Sequence, residues 1–251
     1  MKAAIFDLDG TLVDSNDLHA QAWQETFRHF GREIPYSELR RQIGKGGDQY
    51  LPVFLSEREL EQIGSEMDKF RADLFKEKYL ERVRPFPKVK ELFERVRKDG
   101  KRVALASSGN DEEVAHYVKL AGLDGLFDAQ TTKSNVKHFK PSPDVFTSAL
   151  QLLDVPADEA IAIGDTPYDV QAAKKIRLQS IALLCGGFNE GELRASGAVA
   201  IFRDPAALLS SYKSSVLFDS QFGANNHPAQ FVTDKRFLWQ RKTDGEKTDL
   251  A

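Results

Sequence analysis

Short apolar runs alternate along this chain with stretches in which hydrophobic residues recur every three or four positions. The runs at 3–8, 102–106, 127–131, 160–163, 180–184 and 198–202 are brief and bounded by polar or turn-forming residues, as strands buried on both faces should be. Residues 112–121, 144–153 and 168–176 show helical periodicity between them, and 88–98 shows it ahead of the second run. Strand and helix in alternation predict an α/β domain with a mostly parallel, doubly wound, Rossmann-like sheet.

The alternation is interrupted once. From 15 to 84 the pattern is helical almost throughout, clearest over 17–30 and 57–80, and Pro85 and Pro87 mark the return to strand–helix order. The expected organisation is a core from 1–14 and 85–212 with an all-helical insertion at 15–84. An insertion just after the first strand lies over the carboxyl ends of the strands, where such sheets bind ligands. From 213 to 251 the alternation stops. Phe218, Phe222, Phe231, Phe237 and Trp239 stand among polar residues there, and the last ten or so residues are expected to be disordered. The aromatic part of this tail is a candidate surface for packing on the domain or on a second copy of the chain.

Composition narrows the function classes. Hydrophobic residues make up 41% of 251, enough for a substantial core. Lys and Arg number 35 against 38 Asp and Glu, so neither sign dominates, and neither nucleic acid nor an anionic membrane is the expected partner. No run approaches the roughly 18 apolar residues of a membrane span. The apolar start of the chain meets Asp7 at once, unlike a signal peptide. One cysteine, Cys185, allows no intramolecular disulfide, and a cytoplasmic setting is expected. Cys185 itself reads as a small buried residue at a strand end.

The candidate chemistry lies in four polar clusters, each at or soon after the end of a different predicted strand. In Asp7-Leu8-Asp9-Gly10 two carboxylates with one residue between them point the same way, and Gly10 lets the backbone turn sharply. Carboxylates so close repel unless a cation or shared proton compensates. Ser107-Ser108-Gly109-Asn110 offers hydroxyls and free amides at a helix start, suited to phosphate oxygens. Lys140, in Lys140-Pro141-Ser142-Pro143, can neutralise an anion. Gly164-Asp165-Thr166-Pro167-Tyr168-Asp169 adds two acids, the hard oxygen donors that magnesium prefers. Each cluster alone also fits a helix cap, an acidic turn or a solvated lysine.

Taken together and in this order, the clusters resemble the motifs of the haloacid dehalogenase superfamily of phosphotransferases, over residues 1 to about 212. The resemblance implies Asp7 as nucleophile, Asp9 as general acid and base, Ser107 (with Ser108 beside it) and Lys140 as phosphate ligands, and Asp165 and Asp169 as metal-binding acids. It also implies magnesium, held by Asp7, the backbone carbonyl of Asp9, Asp165 and, through water or indirectly, Asp169. The helical insertion resembles the family's smaller cap. His19, at the junction of insertion and core, matches a histidine that positions the acid–base residue in similar enzymes. Lys45, in the glycine-rich stretch 42–48, matches a substrate-specificity loop. Asp9 argues against the dehalogenases themselves, which carry a different residue there and need no metal. The implied activity is hydrolysis of a small phosphate ester through an aspartyl-phosphate. A sugar-phosphate mutase and a non-catalytic binding protein on the same fold are the alternatives.

Overall fold

Six strands form one parallel sheet: β1 (Ala3–Phe6), β2 (Arg102–Ala106), β3 (Ala129–Thr131), β4 (Ala160–Gly164), β5 (Gln179–Leu183) and β6 (Ala200–Phe202). Their order is β3-β2-β1-β4-β5-β6, so the connections run outward both ways from β1, the doubly wound arrangement expected from the sequence. The computed structural model describes residues 1–134 and 136–218.

Helices cover both faces, which is why the central strands are apolar without a break. Side chains alternate along a strand, and β1 divides accordingly. Ala4 and Phe6 join Val103, Leu105, Ile161 and Ile163 against Leu92, Phe93 and Val96 of the Val89–Lys98 helix. Phe6 and Phe93 have ring centroids 4.6 Å apart. Ala3 and Ile5 face the other way, with Ala104, Ala106 and Ala162, onto Val145, Phe146, Ala149 and Leu153 of the Asp144–Leu153 helix. Each large side chain so buried is worth about 1.5–3 kcal/mol.

Several strands are shorter than their apolar runs. Leu8 is buried but lies outside β1, because the backbone has already begun to turn: Leu12 N–H donates to Leu8 O at 2.7 Å and Gly10 N–H to Val13 O at 2.8 Å. Phe127 and Asp128 precede β3, where the Asp128 carboxylate accepts from Val103 N–H at 2.8 Å. Leu184 opens a 3-10 turn, Leu184–Gly186.

Residues 15–84 are helical apart from their connections, with Asn16–His29 and Ser65–Lys78 the longest elements. They hold an apolar cluster of their own around Trp23, Phe27, Leu39, Tyr50, Leu51 and Met67. Phe75, Tyr79 and Leu80 pack instead with the main sheet cluster. The helical pattern expected over 57–80 is present but is not one uniform α-helix. A π-helical turn, Leu60–Gly64, separates Glu57–Glu59 from Ser65–Lys78. Leu60 and Ile63 pack against the insertion's cluster from that turn. At the two ends of the segment, Val13–Asp14 pairs antiparallel with Arg84–Pro85.

The first residues after 212 are packed: Leu217 is buried in the main cluster, and the Tyr212 and Phe218 rings meet edge to face at 5.9 Å. The expectations for Phe222, Phe231, Phe237, Trp239 and a second copy of the chain fall outside the described residues. Among the described residues no helix is long and apolar enough to cross a membrane.

Candidate active site

Parallel strands bring their carboxyl ends to one edge of the sheet. Phe6 of β1 is in register with Leu105 of β2 and Ile163 of β4, so Asp7, Ser107 and Asp165 emerge as neighbours although they lie far apart in the sequence. Asp7, Asp165 and Asp169 are all buried, and a carboxylate oxygen of each lies within 4.8 Å of those of the others. Lys140, only 2% exposed, is ion-paired with Asp7 and, at 2.7 Å, with Asp169.

Neutral donors fix this cluster. Thr11 Oγ1 donates to Asp165 Oδ1 at 2.8 Å, and Asn16 Nδ2 donates to Asp165 Oδ2 at 2.8 Å and to Gly186 O at 3.0 Å. Asp169 serves twice. Its Oδ2 accepts from Thr166 N–H and Oγ1 in a capping box, while Oδ1 faces Lys140. The cap reading and the functional reading of this acid are therefore compatible. Two glycines make room. Gly10, at φ 74°, and Gly186 both lie so close to Asp165 that a β-carbon on either would overlap it.

The charges do not balance. Three buried carboxylates share one ammonium group. Burial drives the Asp7 carboxyl well above the ordinary range, with Asp169 and Asp165 adding to the effect and Lys140 opposing it. Burial together with Asp169 pushes Asp165 up to about 7, despite the hydrogen bonds from Thr11 and Asn16. For Lys140 burial works against the charge, yet Asp169 and Asp7 outweigh it and hold its pKa above the usual lysine value. Oxygen donors only, in a buried cluster with excess negative charge, fit a hard divalent cation such as Mg²⁺.

Asp9 lies apart from that trio. Its Oδ1 accepts from Ser15 Oγ at 2.5 Å and meets His19 Nε2 at 2.9 Å. Burial alone would raise its pKa, but His19 and Ser15 prevail and hold it below the usual value. This pairing favours an ionised Asp9, whereas a general acid must begin its step protonated. His19 is stacked on Phe75, ring centroids 3.9 Å apart, and the Tyr117 hydroxyl lies 3.5 Å from its Nε2.

A cavity of about 370 Å³ opens onto these groups, lined by Asp7, Asp9 and Lys140 from the sheet unit and by His19, Trp23, Lys45, Asp68 and Arg71 from the helical segment. The two serines differ. Ser107 is fully buried and its Oγ accepts from Gly109 N–H at 2.9 Å. Ser108 lines the cavity, and its buried Oγ has no hydrogen-bond partner among the described residues. Lys45 also lines the cavity, but its Nζ donates to Gln42 Oε1 at 2.6 Å and sits 4.8 Å over the Tyr168 ring. Burial lowers its pKa.

Sequence reasoning did not single out Thr11, Ser15, Asn16, Tyr117 or Gly186. Thr11, Ser15 and Asn16 sit beside the first acidic pair, and polar residues that close to a motif are a usable signal. Tyr117 reads as an ordinary helical core residue, and nothing local marks Gly186.

The chain matches the family model described as haloacid dehalogenase-like hydrolase over residues 4–183. It is 29% identical, over 85% of its length and 99% of the relative's, to a phosphorylated carbohydrates phosphatase of Thermotoga maritima. It is 28% identical to a phosphoglycolate phosphatase of Aquifex aeolicus, over 74% and 86% of the two chains. The crystal structure of a hydrolase from Pseudomonas syringae superposes with a TM-score of 0.78 at 28% identity, covering 85% of this chain and 99% of the other. The family model spans the segments that carry the acid cluster, and the chain belongs to the haloacid dehalogenase-like hydrolases.

Proposed function

We propose that the protein is a magnesium-dependent phosphatase that hydrolyses a small phosphate monoester, of phosphoglycolate or sugar-phosphate type, through an aspartyl-phosphate on Asp7. The observation that carries this reading is the buried meeting of Asp7, Asp165 and Asp169 around Lys140, with Asp7 on the wall of a cavity large enough for a small ester. The relatives, both phosphatases of small phosphate esters by name, support the reaction class.

Asp7, Asp165, Asp169 and the backbone carbonyl of Asp9 are the groups that would hold Mg²⁺. When bound, the ion neutralises charge on nucleophile and phosphoryl group. The remaining work belongs to the side chains. Lys140 directs Asp7, favours its ionised form against the effect of burial, and supplies positive charge to the transferring oxygens. Asp7 attacks phosphorus as the bond to the leaving oxygen breaks. That oxygen takes a proton from the His19–Asp9 pair, whose facing atoms lie 2.9 Å apart. Asp9 then accepts a proton from the water that attacks the phosphoenzyme, and the bond from Asp7 to phosphorus breaks. Ser108, whose buried hydroxyl has no partner among the described residues, and Ser107 beside it are the phosphate-binding serines. Residues 15–84 act as the cap over this site, and Lys45 contributes from its glycine-rich loop.

The test is a panel of phosphate esters with Mg²⁺, recording inorganic phosphate. Release of phosphate, its loss with a chelator, and its loss in a folded Asp7→Asn variant are the expected results. Substantial turnover in that variant excludes the covalent route, and a phosphorylated isomer in place of free phosphate identifies a mutase.

A further inference from the structure

Resting on the phosphatase reading above, we propose that Glu113, set beside Arg71, determines which ester the site accepts. The favoured ester carries neighbouring hydroxyl groups at its far end and no second anion. Glu113 is the third residue of the Asp111–Ala121 helix, directly after the turn that carries Ser107 and Ser108. An acid at this position commonly reaches back to the backbone N–H of the cap residue and closes a capping box. Such boxes are complete at Ser56–Glu59 and Thr166–Asp169. Here Asn110 caps by itself, its side chain accepting from Glu113 N–H at 2.9 Å.

The Glu113 side chain lines the cavity instead. The residue is 3% exposed, and its Oε1 has no hydrogen-bond partner among the described residues. Arg71 Nη1 lies 3.5 Å away, too far for a good hydrogen bond. Arg71 Nε is likewise without an acceptor, and the guanidinium stands over the Trp23 ring at 5.5 Å. Arg71 belongs to the Ser65–Lys78 helix and Glu113 to the sheet unit, so each wall of the cavity contributes one member.

A buried carboxylate short of donors and a guanidinium short of acceptors are both costly to leave unmet. One ligand chemistry meets both. A hydroxyl donates and accepts, so adjacent hydroxyls can give a proton to Glu113 and a lone pair to Arg71. A carboxylate or a second phosphate only accepts. It would satisfy Arg71 but stand beside Glu113 as a like charge, while the neighbouring Asp68, 4.0 Å from Arg71, already has Lys133 as its partner.

The experiment measures kcat/KM with Mg²⁺ for glucose 6-phosphate, phosphoglycolate and p-nitrophenyl phosphate on the full chain. The parent protein should favour the hydroxylated over the carboxylated ester. Glu113→Ala should lower that ratio roughly 10- to 100-fold, the effect of one hydrogen bond to a charged group. Glu113→Gln keeps the shape and an acceptor but not the charge. It should raise kcat/KM for phosphoglycolate above the parent value, and it decides the matter should the alanine variant not fold. A parent preference for phosphoglycolate, or a ratio unmoved within about threefold in the variants, overturns the assignment. If p-nitrophenyl phosphate is hydrolysed while the ratio stays put, only the role of Glu113 falls. If no ester releases phosphate, the phosphatase reading falls and takes this inference with it.

Discussion

Replacing Lys140 by methionine removes one positive charge from a buried site that holds three acids. Lys140 is 2% exposed and its partners Asp7 and Asp169 are buried, so solvent cannot take over its task. The cost can be reached by two routes. Breaking a buried pair by deleting one member typically costs about 3–5 kcal/mol. The site can also shed the unpaired charge by binding a proton. Protonating a carboxyl of ordinary pKa costs about 4 kcal/mol at pH 7 and about 1.5 kcal/mol at pH 5. The routes agree at neutral pH. A carboxyl whose pKa is raised by folding lowers stability above its unfolded pKa, and the loss grows until pH passes the folded value. The deficit of Lys140→Met should therefore shrink on acidification. In thermal denaturation with a chelator at pH 7, about 4 kcal/mol corresponds to a Tm lower by about 8–16 °C for a chain of this size. Mg²⁺ at about a hundred times its Kd should return about 2.7 kcal/mol. A variant as stable as the parent at pH 7 in chelator, or one whose deficit widens at pH 5, refutes this electrostatic account of the site.

Two further outcomes follow from the same geometry. Asp9→Asn should still form phosphoenzyme with a good leaving group such as p-nitrophenol but hydrolyse it slowly, giving a burst and then a steady-state rate lower by roughly 10²–10⁴; quenched-flow measurement of the burst checks this, and rapid steady turnover removes Asp9 from its role. Gly186→Ala places a β-carbon on Asp165, so the acid or its loop must shift. A loss of about 1–3 kcal/mol in urea denaturation and a much weakened Mg²⁺ requirement site, read by isothermal titration, are expected; unchanged metal affinity would show that the contact relaxes freely.

The sequence by itself determined the sheet and most of its helices, because burial on both faces writes an unbroken apolar run and a helix writes a 3.6-residue period. Both signals are local, and so are the four polar clusters at the strand ends. What was not local was not legible. The π-helical turn at Leu60–Gly64 keeps a helical pattern while changing its register, and Leu8 looks like strand although the backbone has turned beneath it. The capping box at Asp169 was written in the spacing from Thr166, but its second use toward Lys140 was not. Asp9 could be read as an acid, yet its ionised state depends on His19 and Ser15 lying within 2.9 Å. Only the tertiary structure placed Thr11, Asn16 and Gly186 around Asp165, and Arg71 opposite Glu113. The physical reason is common to all of these. A side chain's charge state and its unmet hydrogen bonds are fixed by neighbours that come from distant parts of the chain, and a one-dimensional pattern records only the near ones.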